Sequence, residues 1–131
     1  MNQEQRLVHS FHERYGLPRQ EVPAWPGDQV LRQRILMLEE ELAELRNSAQ
    51  NHYLAEVADA LADLLHVVYG TAVACGIDLE PIFAEIHRAN MTKDRHERRP
   101  DGKPAKGPAY VAPDVRPLLE EQRRLAVATT R

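Results

Sequence analysis

Leu7, Val8, Phe11 and Tyr15 recur at the spacing of one helical face, which predicts a first helix over Gln3 to Tyr15, ended by Gly16 and Pro18. Leu31, Ile35, Leu38, Leu42 and Leu45 repeat the period and predict a second helix from Asp28, read as its N-cap, to about Arg46, with Asn47 to Asn51 as the turn. Between them, Pro18 to Gly27 reads as a linker whose Pro23, Trp25 and Pro26 favour an ordered crossing, with Trp25 covering an edge of the core. A third helix, roughly Tyr53 to Cys75, is the most apolar and ends at Gly76. Val57, Leu61, Leu64, Leu65 and Val68 share its core-facing side. The other side holds Ala60, Val67, Gly70 and Ala74 where a solvated face would carry Lys, Arg and Gln. A helix apolar on both sides is packed on both sides, and in so short a chain the second surface points to a homo-oligomer, a dimer or a tetramer.

Asp78 caps a fourth helix that runs to about Thr92, with Pro81 in its first turn and Ile82, Phe83 and Ile86 inward. From Lys93 to Ala112 basic residues mix with Pro and Gly, which is loop. Asp114 and Pro117 open a fifth helix that reaches about Leu125. The pattern as a whole predicts an all-α, antiparallel bundle of about five helices.

Length adds that this is one domain, residues 1–131, with its core over about 28–117 and a basic loop at 93–112. With 43% hydrophobic and 28% charged residues the chain reads as globular rather than disordered. A net charge of -3 gives no global reason to expect nucleic acid or an anionic membrane as partner. The single Cys75 reads as a small core residue. No apolar run is expected to reach the ~20 residues that cross a bilayer, and the polar start does not resemble a signal peptide, so cytoplasm is the default expectation.

The charge pattern changes the picture most. Between Arg46 and Arg88 there is no Lys or Arg, yet Glu56, Asp59 and Asp63 lie at helical spacing just after Glu40-Glu41-x-x-Glu44. Two carboxylates about 5 Å apart repel by roughly 3 kcal/mol at an effective dielectric near 20, so acids on facing helices ask for a cation. Glu41 and Glu44 flank the buried stripe of the second helix, Glu40 is intermediate and Glu39 points away. Glu41, Glu44, Glu56, Asp59 and Asp63 are therefore the expected metal ligands, and an all-oxygen set suits Mg2+, or Mn2+, rather than zinc. None of the six histidines makes a convincing metal pair. His9 and His12 are expected at the surface, His66 beside the site or at a subunit contact, and His87 has no assignment. Nothing matches a P-loop.

The ordered set E-E-x-x-E then E-x-x-D resembles the MazG-like, all-α nucleoside triphosphate pyrophosphatases, a superfamily that includes phosphoribosyl-ATP pyrophosphohydrolase. The run Asp59 to Gly76, the following Ile77-Asp78 and the stretch Ile86-His87-Arg88-Ala89-Asn90-Met91-Thr92-Lys93 are similar to the phosphoribosyl-ATP-pyrophosphohydrolase-like subgroup, including its dUTP-hydrolysing Deinococcus type. The resemblance covers about Asp28 to Pro117. It implies metal-dependent cleavage between the α- and β-phosphates of a nucleotide such as dUTP, giving a monophosphate and pyrophosphate, in nucleotide-pool cleaning. It implies further that Glu40 or Glu41 activates the water, and that Asn90 and Lys93 contact phosphate or nucleotide. Arg95, Arg98, Arg99 and Lys103 are then candidates to close over the phosphates. One departure stands out: many relatives carry Glu three residues before the Asp that precedes Leu-Leu, and here that position is Ala60. The competing expectations are a phosphoribosyl-ATP hydrolase and a catalytically silent helical dimer that binds nucleotide or a protein partner.

Overall fold

The computed structural model describes residues 1–129 and contains, among them, five helices: α1 (Gln3–Tyr15), α2 (Asp28–Gln50), α3 (Leu54–Cys75), α4 (Leu79–Asn90) and α5 (Arg116–Thr129). The fold is all-α, as the periodicity predicts. α2 and α3 form a long antiparallel hairpin, α1 packs along α3, and α4 and α5 touch the other helices only lightly.

The helix ends follow local chemistry. The Asn2 carboxamide accepts from Gln5 N at 2.8 Å to open α1, and Asp78 accepts from Glu80 N at 3.1 Å to open α4. Asp28 does not cap α2 as expected. Gly27 stands at the cap, and the Asp28 carboxylate accepts from Trp25 Nε1 at 2.9 Å. Trp25 is accordingly 68% exposed rather than laid on the core. α2 also runs about one turn past Arg46, because Ser48 extends its α3-facing stripe and is buried there, its hydroxyl donating to Glu44 O at 2.8 Å. The chain then reverses through His52, whose φ is 54°.

The linker is an ordered crossing, and the reason is hydrogen bonding. The last carbonyls of α3 have no partner within their own helix. Gln20 N donates to Val73 O at 3.1 Å, Ala24 N to Cys75 O at 3.0 Å, and the Gln20 carboxamide to Ala74 O at 2.8 Å. Gly76, at φ 68°, ends α3 directly against Val22 O, where a Cβ would collide with the backbone.

Which faces are buried differs from the expectation in a consistent way. On α1 the interior positions are Gln5, Val8 and His12, while Leu7, Phe11 and Tyr15 are exposed. On α2 they are Arg34 and Ser48, with Leu31, Leu38 and Leu45 half-buried and Ile35 and Leu42 exposed. On α3 the α2-facing side is Ala60, Val67, Gly70 and Ala74, and it is Leu61, Leu65 and Val68 that lie open, Leu61 by 51% and Leu65 by 47%. The side read as a second surface thus packs inside the chain, and the leucine side is the one left without a partner. Small residues on α3 explain the exchange, since Ala60, Gly70 and Ala74 let α2 approach closely. On α4 the inward expectation fails for Phe83, which is 73% exposed, and for Ile86, exposed by 37%, while Ile82 is half-buried.

α3, 22 residues long with an 18-residue stretch of mean hydropathy 1.4, is long and apolar enough to cross a membrane by length and composition alone, although Glu56, Asp59 and Asp63 interrupt its apolar run. It is the helix against which α1 and α2 both pack, and it carries three acids in its first half, which are rare within membrane spans.

Candidate metal centre

The α2–α3 seam decides which acids meet. Positions 34, 38, 41, 45 and 48 of α2 form one stripe at alternating steps of four and three, and positions 60, 63, 67, 70 and 74 of α3 form its counterpart. Glu41 and Asp63 occupy matching places near the middle. Carboxylate oxygens of Glu41, Glu44 and Asp63 all lie within 4.8 Å of one another.

Glu41 Oε2 is shielded from water and has no hydrogen-bond partner. A buried, unpaired carboxylate oxygen is costly, and its presence asks for a ligand that accepts electron density. The Glu41 carboxyl is held above its usual 4.5, first by loss of solvent, then by contact with the Glu44 carboxylate and by the charges of Glu44, Asp63 and Glu40. A divalent cation reverses each of these costs. The set therefore fits a hard cation held by oxygens alone, with Glu41, Glu44 and Asp63 as the residues placed to bind it.

Glu56 and Asp59 stand farther out. With Glu44, Asp63, Asn47, Ser48 and Ala60 they line an open pocket of about 300 Å3 that begins at the cluster. Glu40 is exposed and outside the cluster, though near enough to act on Glu41. Asn47 and Ser48, expected in a turn, belong to the last turns of α2 and line the pocket. The signal was there in the continuation of the Glu41, Leu45, Ser48 spacing. Ala60 is buried, 3% exposed, and forms part of the pocket floor and of the helix seam at once.

None of the candidate phosphate contacts lines this pocket. Asn90 ends α4 and accepts from Lys93 N at 3.2 Å. Asp94 organises the loop that follows, its carboxylate accepting from His96 N and Glu97 N, both at 2.8 Å. Arg98 lies opposite Pro104 in a short bridge and donates to Arg95 O and Glu97 O, and Arg99 pairs with Asp101 at 3.2 Å. Arg95 and Lys103 are exposed on the same loop.

The histidines depart from expectation at one position. His12 is fully buried, its Nδ1–H donating to Pro18 O at 2.7 Å, and burial followed by the nearby Arg34 charge holds it below 6.5. His9 meets Glu21 at 3.1 Å, and the exposed His66 stacks edge-on against Phe11 at 5.0 Å.

Residues 8–90, well over half of the chain, match the phosphoribosyl-ATP pyrophosphohydrolase family. The chain belongs to that family. Phosphoribosyl-ATP pyrophosphohydrolases form part of the MazG-like, all-α nucleoside triphosphate pyrophosphatase superfamily, which act on phosphoric anhydrides of nucleotide-like substrates. The match includes the second half of α1, which the sequence resemblance did not, and all the clustered acids. It stops at Asn90, so Lys93 and the basic loop fall outside it. No curated protein matches the chain.

Proposed function

We propose that this chain is a metal-dependent pyrophosphohydrolase that cleaves a nucleotide between its α- and β-phosphates, releasing a nucleoside monophosphate and pyrophosphate. The observation that carries this reading is the meeting of Glu41, Glu44 and Asp63 around a buried, unpartnered Glu41 oxygen at the mouth of an acidic pocket. Bound Mg2+, or Mn2+, would neutralise the phosphates and the departing pyrophosphate. Glu41, Glu44 and Asp63 hold the cation, with Glu56 and Asp59 lining the path of the phosphates. Glu40 borders Glu41 and forms no ion pair among the described residues, which leaves it to orient the attacking water and take its proton as the water oxygen bonds phosphorus and the anhydride bond breaks. Asn90, Lys93, Arg95, Arg98, Arg99 and Lys103 are the proposed contacts to phosphate.

For the substrate we favour a deoxynucleoside triphosphate such as dUTP, which makes the role one of cleaning the nucleotide pool in the cytoplasm. The similarity of the Asp59–Gly76 and Ile86–Lys93 stretches to the dUTP-hydrolysing subgroup supports this. Phosphoribosyl-ATP is the second reading, favoured by the family match itself. A product-resolved panel of NTPs, dNTPs, dUTP and phosphoribosyl-ATP, with Mg2+, with Mn2+ and with EDTA, decides between them. Turnover of phosphoribosyl-ATP alone removes the dUTP reading, and silence of the folded, metal-binding protein toward all of them removes both.

We propose also that the working unit is a homo-oligomer joined through the leucine side of α3. The chain exposes 9475 Å2, whereas a folded monomer of 15.0 kDa is expected to expose about 7,000 Å2. The surplus has the scale of an obligate homodimer interface. Leu65, Val68 and Tyr69 of α3 and Ile82, Phe83 and Ile86 of α4 line an apolar groove of about 420 Å3. A second copy of the same apolar side is the occupant that matches it in character and size.

A further inference from the structure

Arg34 is the only buried lysine or arginine among the described residues, 5% exposed, and it has no carboxylate partner there. Loss of solvent pulls its guanidinium below its ordinary value. A buried cation is tolerated only when its N–H groups are satisfied in good geometry. Here the partners all belong to α3. Nη2 donates to Val67 O at 3.1 Å and Nε to Thr71 Oγ1 at 3.3 Å, while the Thr71 hydroxyl itself donates to Val67 O at 2.8 Å. Gly70 makes the notch, since a Cβ at that position would overlap the guanidinium and press on His12 Nε2.

The clamp lies on the same two stripes as the acids. Glu41 stands seven residues after Arg34 on α2, and Asp63 seven residues before Gly70 on α3, so that clamp and cluster are about 10 Å apart along both helices. Around the cluster the seam offers little grip of its own. Ala60 and Ser48 are small, and the facing carboxylates repel. Apolar contact is non-directional and lets helices slide, whereas charge-assisted hydrogen bonds fix an axial position.

We propose that Arg34 is a positioning residue for the acidic site: it locks the register of α2 against α3 and thereby sets how closely Glu41 and Glu44 approach Asp63. This rests on the reading of those acids as a cation site. The second readout below does not depend on that reading.

The test uses the full-length protein and three variants. Arg34→Met keeps the stem and removes the donors, Thr71→Val removes one acceptor with little change of shape, and Arg34→Lys keeps the charge without the planar fork. Mn2+ affinity is read by titration of the free-ion EPR signal, alongside thermal unfolding. Arg34→Met and Thr71→Val are expected to stay helical and bind Mn2+ about tenfold or more weakly, the scale seen when a group supporting a metal ligand is lost, with Arg34→Lys in between. Wild-type Mn2+ affinity in Arg34→Met and Thr71→Val, whatever their melting temperatures, reduces Arg34 to a core contact and overturns the proposal. Should Arg34→Met fail to fold, Thr71→Val decides.

The register is also read without metal, from the distance between spin labels at Ala43 on α2 and Ala62 on α3 in a Cys75→Ala background. The distribution is expected to broaden or shift in Arg34→Met and in Thr71→Val. An unchanged distribution in a folded variant overturns the clamp. A wild type that binds no Mn2+ removes the metal reading instead, and this second readout still judges Arg34.

Discussion

Asp63 and Leu65 lie two residues apart on α3 and face opposite sides of it, about 200° apart at 100° per residue. Asp63 turns toward α2, where its carboxylate lies within 4.8 Å of those of Glu41 and Glu44. Leu65 turns toward the apolar groove shared with α4. One helix thus serves as the wall of the acidic site and as the unpartnered face of the chain, and the two roles separate by mutation.

Removing a clustered acid tests the first role. Asp63 is exposed and its charge is repelled by its neighbours, so Asp63→Asn is expected to leave apo stability unchanged or to raise it. Cation binding and turnover should both fall, by at least about 100-fold, since loss of a mere supporting partner already costs up to that much. Calorimetric Mg2+ or Mn2+ titration beside a thermal melt checks it. Wild-type affinity in the folded variant would remove Asp63 from the site.

Leu65→Glu tests the second role. The side chain is 47% exposed in the single chain, so the fold of the chain is expected to survive a charge there. Light scattering behind a sizing column should show the wild type as an oligomer and the variant moving toward the 15.0 kDa chain. A wild type of 15.0 kDa at all concentrations would dismiss the second copy as the groove's occupant.

Glu41 makes stability depend on pH and metal. Its folded pKa is raised above 4.5 by burial and by Glu44 and Asp63, so the unfolded chain loses this proton first. Without metal, stability should fall as pH rises from about 4.5 through the raised value, and millimolar Mg2+ should reverse the loss. Glu41→Gln should flatten the limb. Melts across that range, with Mg2+ and with EDTA, give the comparison, and a limb insensitive to Mg2+ would refute it.

His12 acts with the opposite sign. Its folded pKa lies below 6.5, chiefly through burial, so above 6.5 both states are neutral and its contribution is complete. As pH falls below 6.5 the unfolded chain takes up a proton that the fold refuses, and stability is lost down through the lowered value. In a Glu41→Gln background, which removes the opposing limb, His12→Asn should flatten this acid loss while keeping a donor toward Pro18 O. An acid limb of undiminished slope in the double variant would point to another group.

Much of the helical plan was legible, because α1 through α4 carry strong periods and Gly16, Gly76 and Asp78 mark three of the ends. The gathering of Glu41, Glu44 and Asp63 followed from the same periods together with the absence of basic residues on α3. What the pattern misassigned was orientation. Leucine was read as inward, yet Ala60, Gly70 and Ala74 bring α2 close on the other side, where their small size outweighs the apolar bulk of Leu61 and Leu65. Arg34, Gln5 and His12 were invisible for a related reason. A polar residue inside a helix seam is made tolerable by hydrogen bonds to distant backbone, such as those from Gln5 to Ile77 O and from Leu79 N to Gln5, and no local spacing records them.

The most direct test measures which phosphates leave. With the nucleotide that the panel identifies, the wild type should release monophosphate and pyrophosphate in equal amounts, only with Mg2+ or Mn2+. Glu41→Gln should lower that release by about 100-fold or more while its helical signal is kept and its metal-free melting temperature is not lowered. Release of orthophosphate and a diphosphate, turnover undiminished by EDTA, or a folded Glu41→Gln enzyme of wild-type rate would each contradict α–β cleavage at the Glu41–Glu44–Asp63 site.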